Sequence, residues 1–284
     1  MGPSPTTAGG QVLSFLDPVL IAELLALGLV SGFLAGLLGI GGGMLMVPFL
    51  TLILSQRGVA GGMAVKMAIA TSMATIMFTS ISSVRAHHKR GAVRWDLVRG
   101  LAPGILVGGL AAGAGIFALL KGAWLALVFA VFVGFSATQM LRNKKPSPSR
   151  QMPGTAGQIS AGAGIGLLSG LVGAGGGFVS VPFMTWCNVP MHNAVATSAA
   201  LGFPIALANT LGYLIGGWSL APALPGALGY LYLPALVIIA SASVTMAPLG
   251  ARTAHAMNVA QLKRAFAGLL FMLAAYMLYK GLVA

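Results

Sequence analysis

Long apolar stretches alternate with short polar segments along this chain of 284 residues. Uncharged runs cover residues 24–56, 67–84, 101–120 and 122–141, and the second half of the chain repeats the pattern. A helix needs about 20 apolar residues to cross a bilayer. The runs are too long and alternate too little for barrel strands, whereas helices satisfy their own backbone groups in lipid. The pattern predicts an all-α integral membrane protein embedded in a lipid bilayer.

The two halves of the chain carry copies of one motif. Three pairs of segments match in the same order: 32–43 (GFLAGLLGIGGG) with 166–177 (GLLSGLVGAGGG), 47–49 (VPF) with 181–183 (VPF), and 70–72 (ATS) with 196–198 (ATS). Repeats with glycine-interrupted hydrophobic segments at matching places are typical of secondary transporters. The sequence therefore predicts two tandem units.

A polar junction separates the two units. It follows Arg142 and is rich in proline and basic residues, a composition that breaks helices and is too polar for lipid. The predicted organisation is an N-terminal tail at 1–17, a first repeat at 18–142, a cytoplasmic linker at 143–157 and a second repeat at 158–284.

The basic residues predict how the chain crosses the membrane. Lys and Arg concentrate at 85–99, at 142–150 and within 252–264, and the positive-inside rule places these three connections in the cytoplasm. The stretch 158–190 then makes no net crossing, and the same reasoning makes 19–56 a hairpin that enters from outside. Each unit is predicted to be a re-entrant or broken helical hairpin followed by three transmembrane helices, with the two units inverted. The alternative replaces each hairpin with one long crossing.

This topology places twelve of the Lys and Arg residues inside and four outside. It predicts a multi-pass protein of the bacterial inner membrane, with basic loops in the cytoplasm and both termini in the periplasm.

Composition narrows the possible functions. The net charge of +13 comes from basic residues in the connections instead of a basic domain, so no nucleic acid partner is expected. A single cysteine excludes an intramolecular disulfide and a CxxC metal site. The three acids, Asp17, Glu23 and Asp96, lie outside the apolar core stretches, which argues against a carboxylate proton relay or a carboxylate-built cation site. We expect a neutral or anionic substrate, no cofactor, no metal and no enzymatic activity, and the sequence leaves the oligomeric state open.

Two glycine triplets are the strongest candidates for substrate binding: Gly41, Gly42 and Gly43 in the first repeat, and Gly175, Gly176 and Gly177 in the second. A helix that breaks near mid-membrane frees N–H groups and a positive helix end, which can hold an anion without a charged side chain. The alternative is close helix packing. Packing is the preferred interpretation for six spaced glycines: Gly28, Gly32, Gly36, Gly162, Gly166 and Gly170.

Other polar residues in the apolar stretches could contact a substrate. The hydroxyls of Thr71, Ser72, Thr197 and Ser198 either face a polar substrate or bond their own backbone carbonyls. Asn209 either lines a path or pairs across helices.

Two ionisable residues, Lys66 and His192, occupy equivalent places in the two repeats. They are candidates for coupling substrate transport to an ion. The alternative for His192 is an interfacial anchor. His87 and His88 lie in a basic loop, where we expect them to be solvated.

The duplicated GxxxGxxGxGGGxxxVPF signature, followed by Ala-Thr-Ser, resembles the TauE/SafE family of bacterial sulfite exporters, over nearly the whole chain from 24 to 282. The resemblance implies export of sulfite, sulfoacetate or another small sulfur-containing anion from the cytoplasm. It also implies that the glycine triplets and the two Thr-Ser pairs are the family's motif positions. The competing hypothesis is a membrane accessory or assembly protein without transport activity.

Overall fold

The computed structural model describes residues 17–38, 42–142, 150–253 and 259–283. Ten helices lie in these ranges: α1 (Pro18–Leu38), α2 (Gly43–Gln56), α3 (Gly61–His88), α4 (Trp95–Leu119, with a π-helical segment at Ala111–Ile116), α5 (Gly122–Arg142), α6 (Thr155–Val172), α7 (Gly177–Trp186), α8 (Met191–Gly217), α9 (Leu233–Thr253) and α10 (Val259–Val283). A two-stranded antiparallel ribbon, β1 (Ala227–Leu228) with β2 (Leu231–Tyr232), precedes α9. Gly41, residues 1–16 of the predicted tail and residues 143–149 of the predicted linker lie outside the described residues.

Eight of these helices are long and apolar enough to cross a membrane: α1, α3, α4, α5, α6, α8, α9 and α10. Helices α2 and α7 are shorter, with 14 and 10 residues. Each half of the chain therefore contains a long helix, a break, a short helix and three further long helices. The prediction of a helical, multi-pass membrane protein is confirmed.

In each repeat, a glycine break separates the first helix from the short second helix, and the outer ends of these two helices lie close together. Asp17 caps α1 by accepting a bond from the Leu20 N–H, and its carboxylate lies 2.6 Å from the Arg57 guanidinium just after α2. The Arg57 hydrogen bond and the Leu20 N–H lower the pKa of Asp17 from 3.8 to about 2, so this pair stays ionised at neutral pH.

In the second repeat, the outer ends of α6 and α7 also meet, through a different set of contacts. Arg150, which precedes α6, donates its backbone N–H to the carbonyl of Trp186 at the end of α7. The Arg150 guanidinium also lies 4.8 Å from the centre of the Trp186 ring, a cation–π contact. The first helix of each pair therefore starts where the second one ends.

Spaced glycines let helices from different halves pack closely. A Cβ on Gly28 would lie 2.8 Å from the carbonyl oxygen of Ile239, and one on Gly32 would meet Ser243, so both pack against α9. Gly162 and Gly166 pack in the same way against Leu101 and Ile105 of α4. The predicted packing role is confirmed for these four glycines.

The other two of the six spaced glycines have different surroundings. Gly36 is buried. A Cβ on Gly170 would meet the side-chain oxygen of Asn209 on α8.

Helices α3 and α8 form the centre of the bundle and are the most buried of the eight long helices. Three contacts show their relative direction. Lys66 near the start of α3 lies 5.8 Å from the ring of Phe117, which in turn packs on Tyr213 near the end of α8. A Cβ on Gly202 would lie 3.2 Å from the Cβ of Ser80, and Val93, beyond the end of α3, packs on Ala196 near the start of α8. The two central helices therefore run antiparallel.

We expect Gly166→Val to destabilise the fold strongly. The new side chain would collide with the carbonyl of Ile105, and overpacking of this kind costs about 1–3 kcal/mol or more. Gly164→Val on the same helix is the matched control, because a Cβ there meets nothing within 4 Å. Thermal unfolding in detergent should give a clearly lower melting temperature for Gly166→Val alone, and equal melting temperatures would contradict the close packing of α4 on α6.

Candidate functional site

The two glycine breaks touch each other. A Cβ on Gly43 would run into the carbonyl of Gly173 and would lie 3.0 Å from the Cα of Ala174. Both partners belong to the break between α6 and α7. Helix α2 therefore starts directly against the end of α6 and the first residues of the second break inside the bundle, at a point where only glycine permits this separation.

Positive backbone angles explain why glycine occurs at these turns. Gly42 precedes α2 with a φ of 71°, Gly173 ends α6 with a φ of 71°, and Gly176 precedes α7 with a φ of 75°. Residues with a Cβ are strained in this left-handed region. The chain path itself therefore requires glycine at Gly42, Gly173 and Gly176, and the close approach requires it at Gly43.

The start of α7 has backbone donors without an acceptor in their own helix. The N–H groups of Val179 and Ser180 both donate to the carbonyl of Gly176, at 3.0 and 2.8 Å. Gly177 and Phe178 precede these bonds, in the positions where the N–H groups of a helix have no intrahelical acceptor. At the start of α2, Leu45 and Met46 donate to Gly42 in the same pattern, at 3.2 and 3.3 Å. Each helix start also carries about half a positive elementary charge from the helix dipole.

A cavity of about 10 Å³, room for about one water molecule, lies beside the second break. Four hydroxyl side chains line it: Thr79, Ser80 and Ser83 of α3, and Ser198 of α8. The remaining wall is formed by Ala35, Ile76, Gly175, Ala199 and Gly202. The lining contains no charged side chain, so the site is polar but neutral.

The four hydroxyls differ in how they are bonded. Thr79 lies within bonding distance of the Thr75 carbonyl and the Ser243 hydroxyl, and Ser80 donates to the Met77 carbonyl. Ser198 accepts a bond of 2.9 Å from Ser180 of α7 and keeps its own proton for another acceptor.

Ser83 is the exception among the cavity hydroxyls. Its side chain is only 4% exposed, and its oxygen has no hydrogen-bond partner among the described residues. Buried polar atoms without partners are rare in folded proteins and call for an explanation. This hydroxyl is available to a molecule that enters the cavity.

The structure brings together part of the predicted site. Gly175 and Ser198 line the cavity, and Gly42, Gly43, Gly176 and Gly177 form the adjoining breaks. Ser72 is buried, and its oxygen also lacks a partner, but it does not line this cavity.

Thr71 and Thr197 hold segments of the opposite repeat. The Thr71 hydroxyl accepts a bond of 3.0 Å from the backbone N–H of Tyr232, just before α9. The Thr197 hydroxyl accepts a bond of 3.0 Å from the backbone N–H of Arg94, just before α4. These equivalent residues therefore perform equivalent structural tasks, and their contact with a substrate stays a prediction.

Asn209 pairs across helices. Its amide nitrogen donates to the carbonyl of Gly166 at 3.3 Å and to that of Ile205 at 2.8 Å. This fixes the amide orientation, because a flipped amide would put its oxygen against two carbonyls. Asn209 joins α8 to α6 and does not line the cavity.

The two candidates for coupling have different surroundings. Lys66 is buried, donates to the carbonyl of Ala118 at 3.0 Å and lies 5.2 Å from the ring of Tyr230. His192 is exposed in the first turn of α8. Neither residue lines the cavity, and their role in coupling stays a prediction.

One expectation about the basic loop is wrong. His87 is buried, because α3 continues as far as His88 and His87 lies one helical turn after Ser83 on the same inward face. His88 is exposed, as expected.

The sequence analysis missed Thr79, Ser80 and Ser83. A signal was present, since hydroxyl residues at 72, 75, 79 and 83 recur at a helical spacing and fall on one face of α3. Within the described ranges, no group of three or more His, Cys, Asp or Glu residues could hold a metal ion.

Comparison with known proteins identifies the family. The family model described as "Sulfite exporter TauE/SafE" matches residues 24–277. The chain belongs to the TauE/SafE family. The resemblance predicted from the duplicated glycine signature is thereby confirmed.

Relatives of this TauE/SafE chain are named as transporters. A "Probable membrane transporter protein" of Haemophilus influenzae is 35% identical and aligns with 90% of this chain and 97% of its own length. A protein of the same description from Methanocaldococcus jannaschii is 28% identical, over 94% of this chain and 98% of its own length. "Probable membrane transporter protein YunE" of Bacillus subtilis is 29% identical, over 72% and 83%. No solved structure matches. The chain is thus a probable membrane transporter.

Thr71→Val should destabilise the TauE/SafE fold by about 1–3 kcal/mol, because the buried N–H of Tyr232 loses its acceptor. Thr138→Val is the control, since the Thr138 hydroxyl donates only to the Gly134 carbonyl of its own helix. We expect thermal unfolding in detergent to show a lower melting temperature for Thr71→Val and little change for Thr138→Val. Similar melting temperatures for both variants would mean that the bond between the repeats contributes nothing.

Proposed function

We propose that this protein exports a small sulfur-containing anion, sulfite or an organosulfonate such as sulfoacetate, from the cytoplasm through the cavity between the two glycine breaks. The observation that carries the proposal is a neutral, hydroxyl-lined cavity beside the second glycine break, which the start of α2 contacts, inside a bundle of membrane helices. The family description supplies the sulfur chemistry.

The charges around the cavity favour an anion. The starts of α2 and α7 turn their positive dipole ends toward the breaks, and neutral hydroxyls can donate to anion oxygens. None of the three acids lines the cavity. Asp17 and Asp96 are paired with Arg57 and Arg94 at helix ends. A cation in this cavity would meet the positive ends of two helices without a carboxylate to compensate.

We further propose two inverted repeats with re-entrant hairpins in the bacterial inner membrane, basic loops in the cytoplasm and both termini in the periplasm. The antiparallel directions of α3 and α8 support inversion, because they are the equivalent helices of the two repeats. The meeting of Asp17 with Arg57, and of Arg150 with Trp186, supports hairpins that return to the face from which they enter.

Transport would follow from opening the bundle on one side at a time. On the proposed cytoplasmic side, Val93 packs on Ala196 and Ala200 next to the bond between Arg94 and Thr197. On the other side, Tyr232 is held by Thr71. Because these two contacts are equivalent in the two repeats, breaking one while keeping the other would open the cavity to one face of the membrane only. Lys66 and His192 remain our candidates for coupling.

The topology can be checked with single cysteines in a Cys187→Ser background. Gln151→Cys and Met191→Cys flank the second hairpin, and Trp218→Cys follows α8; all three positions are exposed. A membrane-impermeant maleimide should label Trp218→Cys in cells whose outer membrane alone is opened, and the other two only after the inner membrane is permeabilised. Labelling of Gln151→Cys and Met191→Cys from opposite sides would replace the hairpin with a single crossing.

Transport can be tested by uptake of radiolabelled sulfite into inverted membrane vesicles. Wild-type protein should give uptake well above that of vesicles without it. Ser83→Ala should reduce uptake by about tenfold, because a hydrogen bond to a charged group contributes about 1.5–3 kcal/mol. Its melting temperature should not fall, since the Ser83 hydroxyl has no partner to lose among the described residues.

Ser136→Ala is the matched control for this experiment. The Ser136 hydroxyl is buried but donates to the Phe132 carbonyl within α5, away from the cavity. Unchanged uptake in Ser83→Ala would rule out the cavity as the path, and no uptake by wild-type protein would favour the accessory-protein hypothesis. Gly176→Ala is less informative, because the φ of 75° and a collision with Ile205 would disturb the fold itself.

A further inference from the structure

We propose that the cavity accepts its substrate only as a monoanion and rejects dianions of the same size. This inference rests on the proposed function and specifies the charge state of the anion. For sulfite, it means that hydrogen sulfite is the species transported.

The fixed positive charge at the site is small. Helix α7 starts two residues after the cavity residue Gly175, and the start of α2 lies against the same break; each start carries about half an elementary charge, so together they balance at most about one negative charge. No Lys, Arg or His lines the cavity. A second negative charge on the substrate would therefore have no counterpart.

One wall of the cavity opposes additional negative charge. The carbonyl oxygen of Gly175 lies 3.9 Å from a Cβ built on Gly202, and both residues line the cavity. A carbonyl oxygen is the negative end of a peptide dipole and repels anion oxygens. It can instead accept a hydrogen bond from a protonated oxyanion, which a fully ionised one cannot offer.

Desolvation discriminates in the same direction. The energy lost when an ion leaves water scales with the square of its charge, so a dianion of equal radius loses about four times as much as a monoanion. The cavity has room for about one water molecule, so it must widen to admit a four-atom anion, and that anion must shed most of its hydration shell to enter. Neutral hydroxyls replace only part of the lost solvation, and this shortfall is far larger for the dianion.

The hydroxyl of Ser83 is an observation, independent of the helix starts, that points to a ligand in this cavity. It is 4% exposed, lines the cavity and has no partner in the part of the chain that the structure describes. An anion oxygen is a suitable acceptor for its proton. A single such donor supplies a hydrogen bond but no net charge.

Charged residues near the cavity do not supply the missing charge. Arg94 is paired with Asp96, and Lys66 lies ten residues before Ile76 along α3, which corresponds to about 15 Å. His87 lies one turn after Ser83 but does not line the cavity. Because the charge of sulfite itself changes with pH, the test uses probes whose charge does not.

Methanesulfonate and sulfate form such a pair, because both are tetrahedral and similar in size but carry one and two negative charges. Purified wild-type protein in liposomes would transport radiolabelled sulfite in the presence of each unlabelled anion, at two pH values. We expect methanesulfonate to inhibit at a concentration at least tenfold lower than sulfate at both. Sulfite flux itself should rise as the pH falls and the fraction of hydrogen sulfite increases.

The possible outcomes separate the two proposals. Equal inhibition by sulfate and methanesulfonate, in liposomes that transport sulfite, would overturn the monoanion inference and leave the exporter proposal intact. Absence of sulfite flux at every pH would instead overturn the exporter proposal. Preference for methanesulfonate at both pH values supports the inference, because the charge of neither probe changes between them. It would also narrow the proposed substrates to sulfite, because sulfoacetate carries two negative charges.

Discussion

The fold depends on one constraint, that a helix interrupted inside a bilayer must satisfy or shield its broken ends with protein. This chain places two interruptions against each other, with Gly43 in contact with Gly173 and Ala174. Left-handed turns at Gly42 and Gly176 then start α2 and α7 deep in the bundle. The short helices, the buried helix starts and the neutral cavity all follow from this contact. A side chain at these positions would push the breaks apart and remove the close approach.

The two halves are held together because each packs its helices against helices of the other, an exchange of packing partners. Helix α1 packs on α9 through Gly28 and Gly32, and α6 packs on α4 through glycines at equivalent places. Thr71 and Thr197 each fasten the segment before the fourth helix of the other half. Since each repeat uses the other to bury its small-residue faces, the bundle is stabilised as one unit. The same exchange would let one half move against the other while each keeps its own shape.

The candidate site lies where the two repeats differ. Counting from the shared Ala-Thr-Ser step, Thr79, Ser80 and Ser83 of α3 correspond to Ile205, Ala206 and Asn209 of α8. The hydroxyls of α3 line the cavity, whereas Asn209 is committed to holding α8 against α6. The two repeats thus share the scaffold, and the positions at which they differ supply most of the polar wall. Because that wall has no charged side chain, binding depends strongly on the charge of the substrate.

The sequence by itself determined the helical membrane architecture, the duplication, the glycine breaks and the family, because apolar length, repeat and spacing are properties of the chain alone. It also predicted the packing role of Gly28, Gly32, Gly162 and Gly166, since small residues one helical turn apart have one common use in membranes. Only the tertiary structure decided which hydroxyls share a cavity. Thr71, Ser72, Thr197 and Ser198 are neighbours in two matching motifs, yet Ser198 alone reaches the cavity, because successive residues of a helix point about 100° apart. Ser83 belongs to a hydroxyl face of α3 that the helical spacing already indicates, but only the packing of α8 and the second break makes that face the wall of a cavity.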